Sequence, residues 1–89
     1  MIKKTLKIVN KKGLHARAAA AFAKEVDRFK SEITVEKDHN KVVGNSILGL
    51  LLLAASEGTE IIVTASGADE GKAMESLETL VANRFNEEI

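Results

Sequence analysis

The sequence predicts an α+β open-faced sandwich in the order β-α-β-β-α-β-α, four short strands forming one sheet and helices covering one face of it. Three observations carry that expectation. Apolar and polar residues alternate around positions 2–8, 33–36 and 61–65, the period of half-buried strands. Between these stretches, apolar residues recur at intervals of three and four, the period of a helix face. The chain has 89 residues, enough for a single small domain over residues 1–89. A domain of that size buries only about two-thirds of its unfolded surface.

The elements follow in order. Ile2, Leu6 and Ile8 share one face of a first strand and Lys3, Thr5 and Lys7 the other; Asn10-Lys11-Lys12-Gly13 ends it. From Ala16 the period becomes helical, with Ala19, Phe22, Ala23 and Val26 on one stripe. Repeated alanines favour helix and allow its backbone to pack closely. Ile33 and Val35 alternate with Thr34 and Glu36 in a second strand. The turn residues Asp38-His39-Asn40 then lead into a short third strand near Lys41–Gly44, making a hairpin. Ser46 opens an apolar helix from Ile47 to about Ala55, with Gly58 expected as its C-terminal cap. Glu60–Ser66 is a fourth strand, Gly67-Ala68-Asp69 a turn and cap, and Ala73, Leu77, Leu80 and Val81 the inner face of a last helix.

Composition removes several function classes. Cysteine is absent, which excludes disulfides, thiolate metal sites and cysteine nucleophiles. No apolar run approaches the roughly 20 residues of a membrane span, and the amino terminus lacks a signal-peptide core, so a soluble cytoplasmic protein is expected. The thirteen basic and thirteen acidic residues cancel, yet they are segregated: residues 1–24 carry +7 and no acid, and residues 25–89 carry −7. Such asymmetry points to an anionic partner. Nucleic acid is disfavoured, because only Phe22, Phe29 and Phe85 are aromatic and no RNA-binding motif surrounds them. Lys3, Lys4 and Lys7 are read as a solvated basic face.

The start of the first helix carries the chemical signal. Helix entrances usually hold Ser, Thr, Asp or Asn as a cap and acids in the first turn. Here stand Lys11, Lys12, Gly13, Leu14, His15, Ala16 and Arg17, and the first acid in the chain is Glu25. A cation in that turn costs up to about 1 kcal/mol against the helix dipole. An entrance without a strong cap, carrying that charge, suits an anion held by the backbone N–H groups of Ala16, Arg17 and Ala18. The positive end of a helix favours neutral imidazole, the nucleophilic form, over the cation. A phosphoryl group on His15, about −1.5 to −2 in charge, would meet those N–H groups and the Arg17 guanidinium. Gly13 can supply the positive φ that turns the chain from strand to helix.

Gly13-Leu14-His15-Ala16-Arg17 resembles the active-site motif of the histidine-containing phosphocarrier (HPr) family of the phosphoenolpyruvate-dependent phosphotransferase system. The likeness covers essentially the whole chain, through Ser46, the Gly58 turn and Ser66-Gly67-Ala68-Asp69-Glu70. It implies a four-stranded antiparallel sheet under three helices. It also implies that His15 takes a phosphoryl group from Enzyme I and passes it to a histidine of a IIA component, with Arg17 as phosphate partner. Neither cofactor nor metal is implied, and no acid neighbours the motif in the sequence. Ala18 departs from the family's usual proline; proline is tolerated in a first helical turn but not required there. Asn45–Leu53 and Asn83-Arg84-Phe85 resemble the nitrogen-type branch of HPr-like proteins.

Two further positions are candidates. The second helix is apolar at Ile47, Leu48, Leu50, Leu51, Leu52 and Leu53, more than one core stripe needs, so Ile47, Leu48 and Leu51 are expected to form a docking patch with Arg17 on its rim; the alternative puts all six in the core. Ser46 is foremost an N-cap, and by resemblance it matches the serine that HPr kinase/phosphorylase modifies in some members. Composition suggests no oligomer, so a monomer is expected, without membrane insertion. His39 is expected in an exposed turn, with no further ligands for a metal shared with His15. Two other classes compete with this reading. An acylphosphatase-like enzyme lacks support because the glycine-rich loop after the first strand is missing. A regulatory interaction module, controlled through Ser46, would leave the placement of Arg17 unexplained.

Overall fold

A computed structural model describes residues 1–87. Its elements are β1 (Ile2–Lys7), α1 (Ala16–Val26), β2 (Glu32–Lys37), β3 (Asn40–Val43), α2 (Ile47–Leu52), β4 (Glu60–Ser66) and α3 (Glu70–Ala82), followed by a tight turn at Arg84–Asn86. The strands form one antiparallel sheet in the order β1-β4-β2-β3. This is the open-faced sandwich, in the order read from the alternations.

Register follows from burial. Leu6 lies opposite Ile61, Val35 opposite Val63 and Ile33 opposite Ala65, so the inward rows of three strands meet on one face. Onto that face α1 lays Ala18, Ala19, Phe22, Ala23 and Val26, and α3 lays Ala73, Met74, Leu77 and Val81, all buried. The other face carries Lys3, Thr5 and Lys7. Lys4 points to the helix side and ion-pairs with Glu78 of α3 at 2.8 Å, so that lysine has a structural partner rather than only solvent. The β2–β3 hairpin turns through Asp38 and His39, both at positive φ (51° and 69°), as a two-residue primed turn requires. His39 is exposed there.

Two expectations are corrected. The second helix stops at Leu52 rather than near Ala55, and Gly58 does not cap it. Ala54 takes the left-handed conformation just after the helix (φ 52°), swinging Ala55 inward so that its carbonyl accepts the Leu14 N–H at 2.8 Å. Gly58, at φ 88°, serves instead in the turn into β4, its N–H donating to the Ile8 carbonyl at 2.8 Å. Asp69 stands at the N-cap position of α3 but makes no side-chain cap bond. Its carboxylate accepts the Lys30 and Ser31 N–H groups, both at 2.9 Å, and ties α3 to the start of β2.

Candidate functional site

His15 is the N-cap residue of α1, extended at φ −81° and ψ −178°, and its side chain makes no capping bond. The first turn holds no acid. The first hydrogen bond of the helix runs from the Ala19 N–H to the His15 carbonyl at 2.8 Å, so the N–H groups of Ala16, Arg17 and Ala18 precede the intrahelical ladder. The His15 side chain is 27% exposed, Arg17 is exposed, and Ala18 is buried beneath the turn.

The loop before the helix is held from two sides. Gly13 has φ 67° and packs against the Ala55–Ser56 backbone so closely that a Cβ would lie 2.8 Å from Ser56 Cα. Its N–H donates to the Asn10 carbonyl at 3.1 Å. Asn10, fully buried, returns its side-chain amide to the Gly13 carbonyl at 2.7 Å. Strand end, glycine turn and helix start therefore form one closed unit with His15 at its tip.

An acid enters this unit from the far end of the chain. Glu87 Oε2 lies 2.6 Å from His15 Nε2, and Glu87 Oε1 accepts the Asn10 Nδ2–H at 2.8 Å. The expectation that no acid neighbours the motif is thus overturned in space, though it holds along the chain. Arg84, Phe85 and Asn86 all take left-handed φ (57°, 54° and 65°), and the buried Phe85 ring anchors the turn that delivers Glu87. The Glu87 side chain is only 10% exposed. Burial pushes its carboxyl up, but the hydrogen bonds from Asn10 and His15 and the nearby Lys12 charge prevail and hold it below the usual carboxylate range. Neither Glu87 nor Asn10 carries a local sequence signal, because each acts through contacts that the fold creates.

The other candidates lie on α2. Ser46 is its N-cap, and its hydroxyl accepts the Gly49 N–H at 3.1 Å. Ile47, Leu48 and Leu51 are exposed, Leu48 at 69%, while Leu50 and Leu53 are buried. That exposure excludes the all-core alternative. Leu52, at 75%, and Val43 are exposed as well, and were not singled out from the sequence. An open groove between α1 and α3, lined by Glu25, Arg28, Ser76 and Asn83, lies elsewhere; Glu25 is about 15 Å along α1 from His15.

A histidine heading the first helix of an open-faced β-α-β-β-α-β-α sandwich defines a narrow class of small domains. Residues 2–83 match the family model described as "PTS HPr component phosphorylation site". Phosphocarrier protein HPr of Neisseria meningitidis is 46% identical over 87 residues, covering 98% of each chain. The crystal structure of HPr-C-His from Thermoanaerobacter tengcongensis superposes with a TM-score of 0.95 at 43% identity, each chain fully covered. The crystal structure of the catabolite-repression protein Crh from Bacillus subtilis, described as a swapped dimer, gives 0.75 at 43% identity and covers 94% of this chain and 97% of its own. The chain belongs to the HPr phosphocarrier family of the phosphotransferase system.

Proposed function

We propose that this protein carries a phosphoryl group on His15, taking it from Enzyme I, with phosphoenolpyruvate as ultimate donor, and passing it to a histidine of a IIA component in sugar uptake or its regulation. The observation that carries this reading is the half-buried histidine at an α1 entrance with neither a side-chain cap nor a first-turn acid. Phosphoryl transfer demands position and charge neutralisation more than covalent chemistry. The backbone N–H groups of Ala16, Arg17 and Ala18 and the Arg17 guanidinium meet the equatorial oxygens there. A helix terminus at the surface contributes about 0.3–1 kcal/mol, weak enough for a group that must be handed on.

The chain is then a carrier rather than an enzyme, forming a covalent phosphohistidine intermediate in the cytoplasm. Among the described residues no helix is long and apolar enough to cross a membrane, which is compatible with that setting. Partners dock briefly on Ile47, Leu48 and Leu51, with Leu52 extending the patch. We expect a monomer. A swapped dimer is described for Crh, so the state of this chain is to be read by light scattering.

The test is intact mass after incubation with phosphoenolpyruvate, magnesium and Enzyme I. Wild type should gain one acid-labile phosphoryl group and His15→Ala none. A folded wild type that gains nothing from a cognate Enzyme I would sink the carrier reading. The second reading, a regulatory module controlled by phosphorylation of Ser46, would then stand. What favours it is the likeness to Crh, whose description refers to catabolite repression.

A further inference from the structure

We propose that Glu87 is the positioning residue of His15: its carboxylate fixes which ring nitrogen receives the phosphoryl group and pairs with the charge the ring then acquires. The inference rests on the carrier reading of His15 and adds a residue from the opposite end of the chain.

An ionised carboxylate can only accept hydrogen bonds. The 2.6 Å contact between Glu87 Oε2 and His15 Nε2 therefore requires the proton to sit on Nε2. The lone pair is left on Nδ1, which becomes the nucleophile. Glu87 is itself held on its other oxygen by Asn10, whose amide is fully buried and also tied to the Gly13 carbonyl. The resulting chain Asn10–Glu87–His15 has the logic of a catalytic triad, in which an acid orients an imidazole and stabilises the imidazolium without accepting its proton. The backbone that delivers Glu87 supports this role. Left-handed φ costs an L residue on the order of 1–2 kcal/mol, and three such residues in succession persist only where neighbours over-determine them.

The step balances as follows. The Nδ1 lone pair attacks phosphorus of an N-phosphoryl donor, and the N–P bond to His15 forms. The donor's own P–N bond breaks, its electron pair returning to the donor nitrogen. The proton on Nε2 stays in place, so the ring becomes a phosphorylated imidazolium facing the Glu87 carboxylate. On transfer to the acceptor the ring departs as neutral Nε2–H imidazole rather than as imidazolate. One contact thus assists both directions.

Glu87→Gln tests this in a side chain of nearly the same shape. Asn10 Nδ2–H still needs an acceptor and takes the amide oxygen, which turns the amide NH2 toward His15 Nε2. The expected result is an inverted tautomer, seen as exchange of the pyrrole-like and pyridine-like 15N resonances of His15, and phosphoryl uptake slowed by about tenfold or more. Glu87→Asp keeps a carboxylate and should restore the wild-type 15N pattern and most of the rate. A merely structural Glu87 would lower the unfolding midpoint in both variants and leave the tautomer unchanged. An unchanged 15N pattern in a folded Glu87→Gln, or uptake within twofold of wild type, would overturn the proposal. The 15N measurement needs no donor, so it is read separately from failure of wild type to accept phosphoryl, which bears on the carrier reading itself.

Discussion

Gly13 shows how much of the site hangs on one missing side chain. At φ 67° it occupies a region where an L residue is strained, and its α-carbon lies against the backbone of Ala55 and Ser56. Conformational strain of about 1–2 kcal/mol and a backbone clash add in the same direction. Gly13→Ala should therefore destabilise the protein by about 2–4 kcal/mol, read as a lower urea midpoint with unchanged slope. The loop cannot yield without losing the Leu14 N–H bond to the Ala55 carbonyl, so phosphoryl uptake should fall as well. A midpoint shifted by less than about 0.5 kcal/mol would mean that the loop repacks freely. The role of Gly13 was legible because it depends on its nearest neighbours: a turn must precede a helix that begins at Ala16. Glu87 was not, since it meets His15 across 72 positions and only after Phe85 has been buried.

The second helix raises a different question, because six residues leave little room for an inner face. Leu50 and, just beyond the helix, Leu53 enter the core, while Leu48 and Leu52 remain open to solvent. A short helix that exposes leucine gains no folding energy from that exposure, and such a patch on a soluble surface favours a partner. Leu48→Asp should leave the unfolding midpoint nearly unchanged and slow transfer from Enzyme I by about tenfold, the weight of one well-placed contact residue. Equal rates for the variant and wild type would remove α2 from the docking surface. The apolar excess of this helix could be read from the residues, but its end could not. Termination at Leu52 depends on Ala54 turning left-handed so that Ala55 can bond Leu14, a constraint imposed by the loop that carries His15. The strands read more reliably, since alternation and burial on one face are the same fact seen twice.

Across the whole molecule, folding mixes the charges that the sequence keeps apart. Lys4 finds Glu78, Lys7 lies opposite Glu60, and His15 meets Glu87, so acids from the second part of the chain come to the basic first part. Lys11, Lys12 and Arg17 stay exposed, which leaves a basic rim at the entrance of α1. The same pairing makes the fold acid-sensitive. The Ser76 hydroxyl holds Glu25 below the ordinary value of 4.5, and Ser31 and the Lys30 N–H hold Asp69 below 3.8. For Glu87 burial acts upward, but its hydrogen bonds and nearby charges carry it below 4.5. Each carboxyl thus has a lower pKa in the folded state than in the unfolded chain. Their stabilisation is complete above the unfolded values and disappears as pH falls through the folded ones. The unfolding temperature should be flat from neutrality to about pH 5, then drop through the range beneath 4.5 and on below 3.8. Asp69→Asn should lower the neutral plateau and flatten the acid limb, because the two N–H groups and the hydroxyl that converge on Asp69 lose their charged acceptor. A wild-type midpoint that rises on acidification would show that repulsion among the remaining carboxylates outweighs these bonds, and would reverse the sign assigned to them.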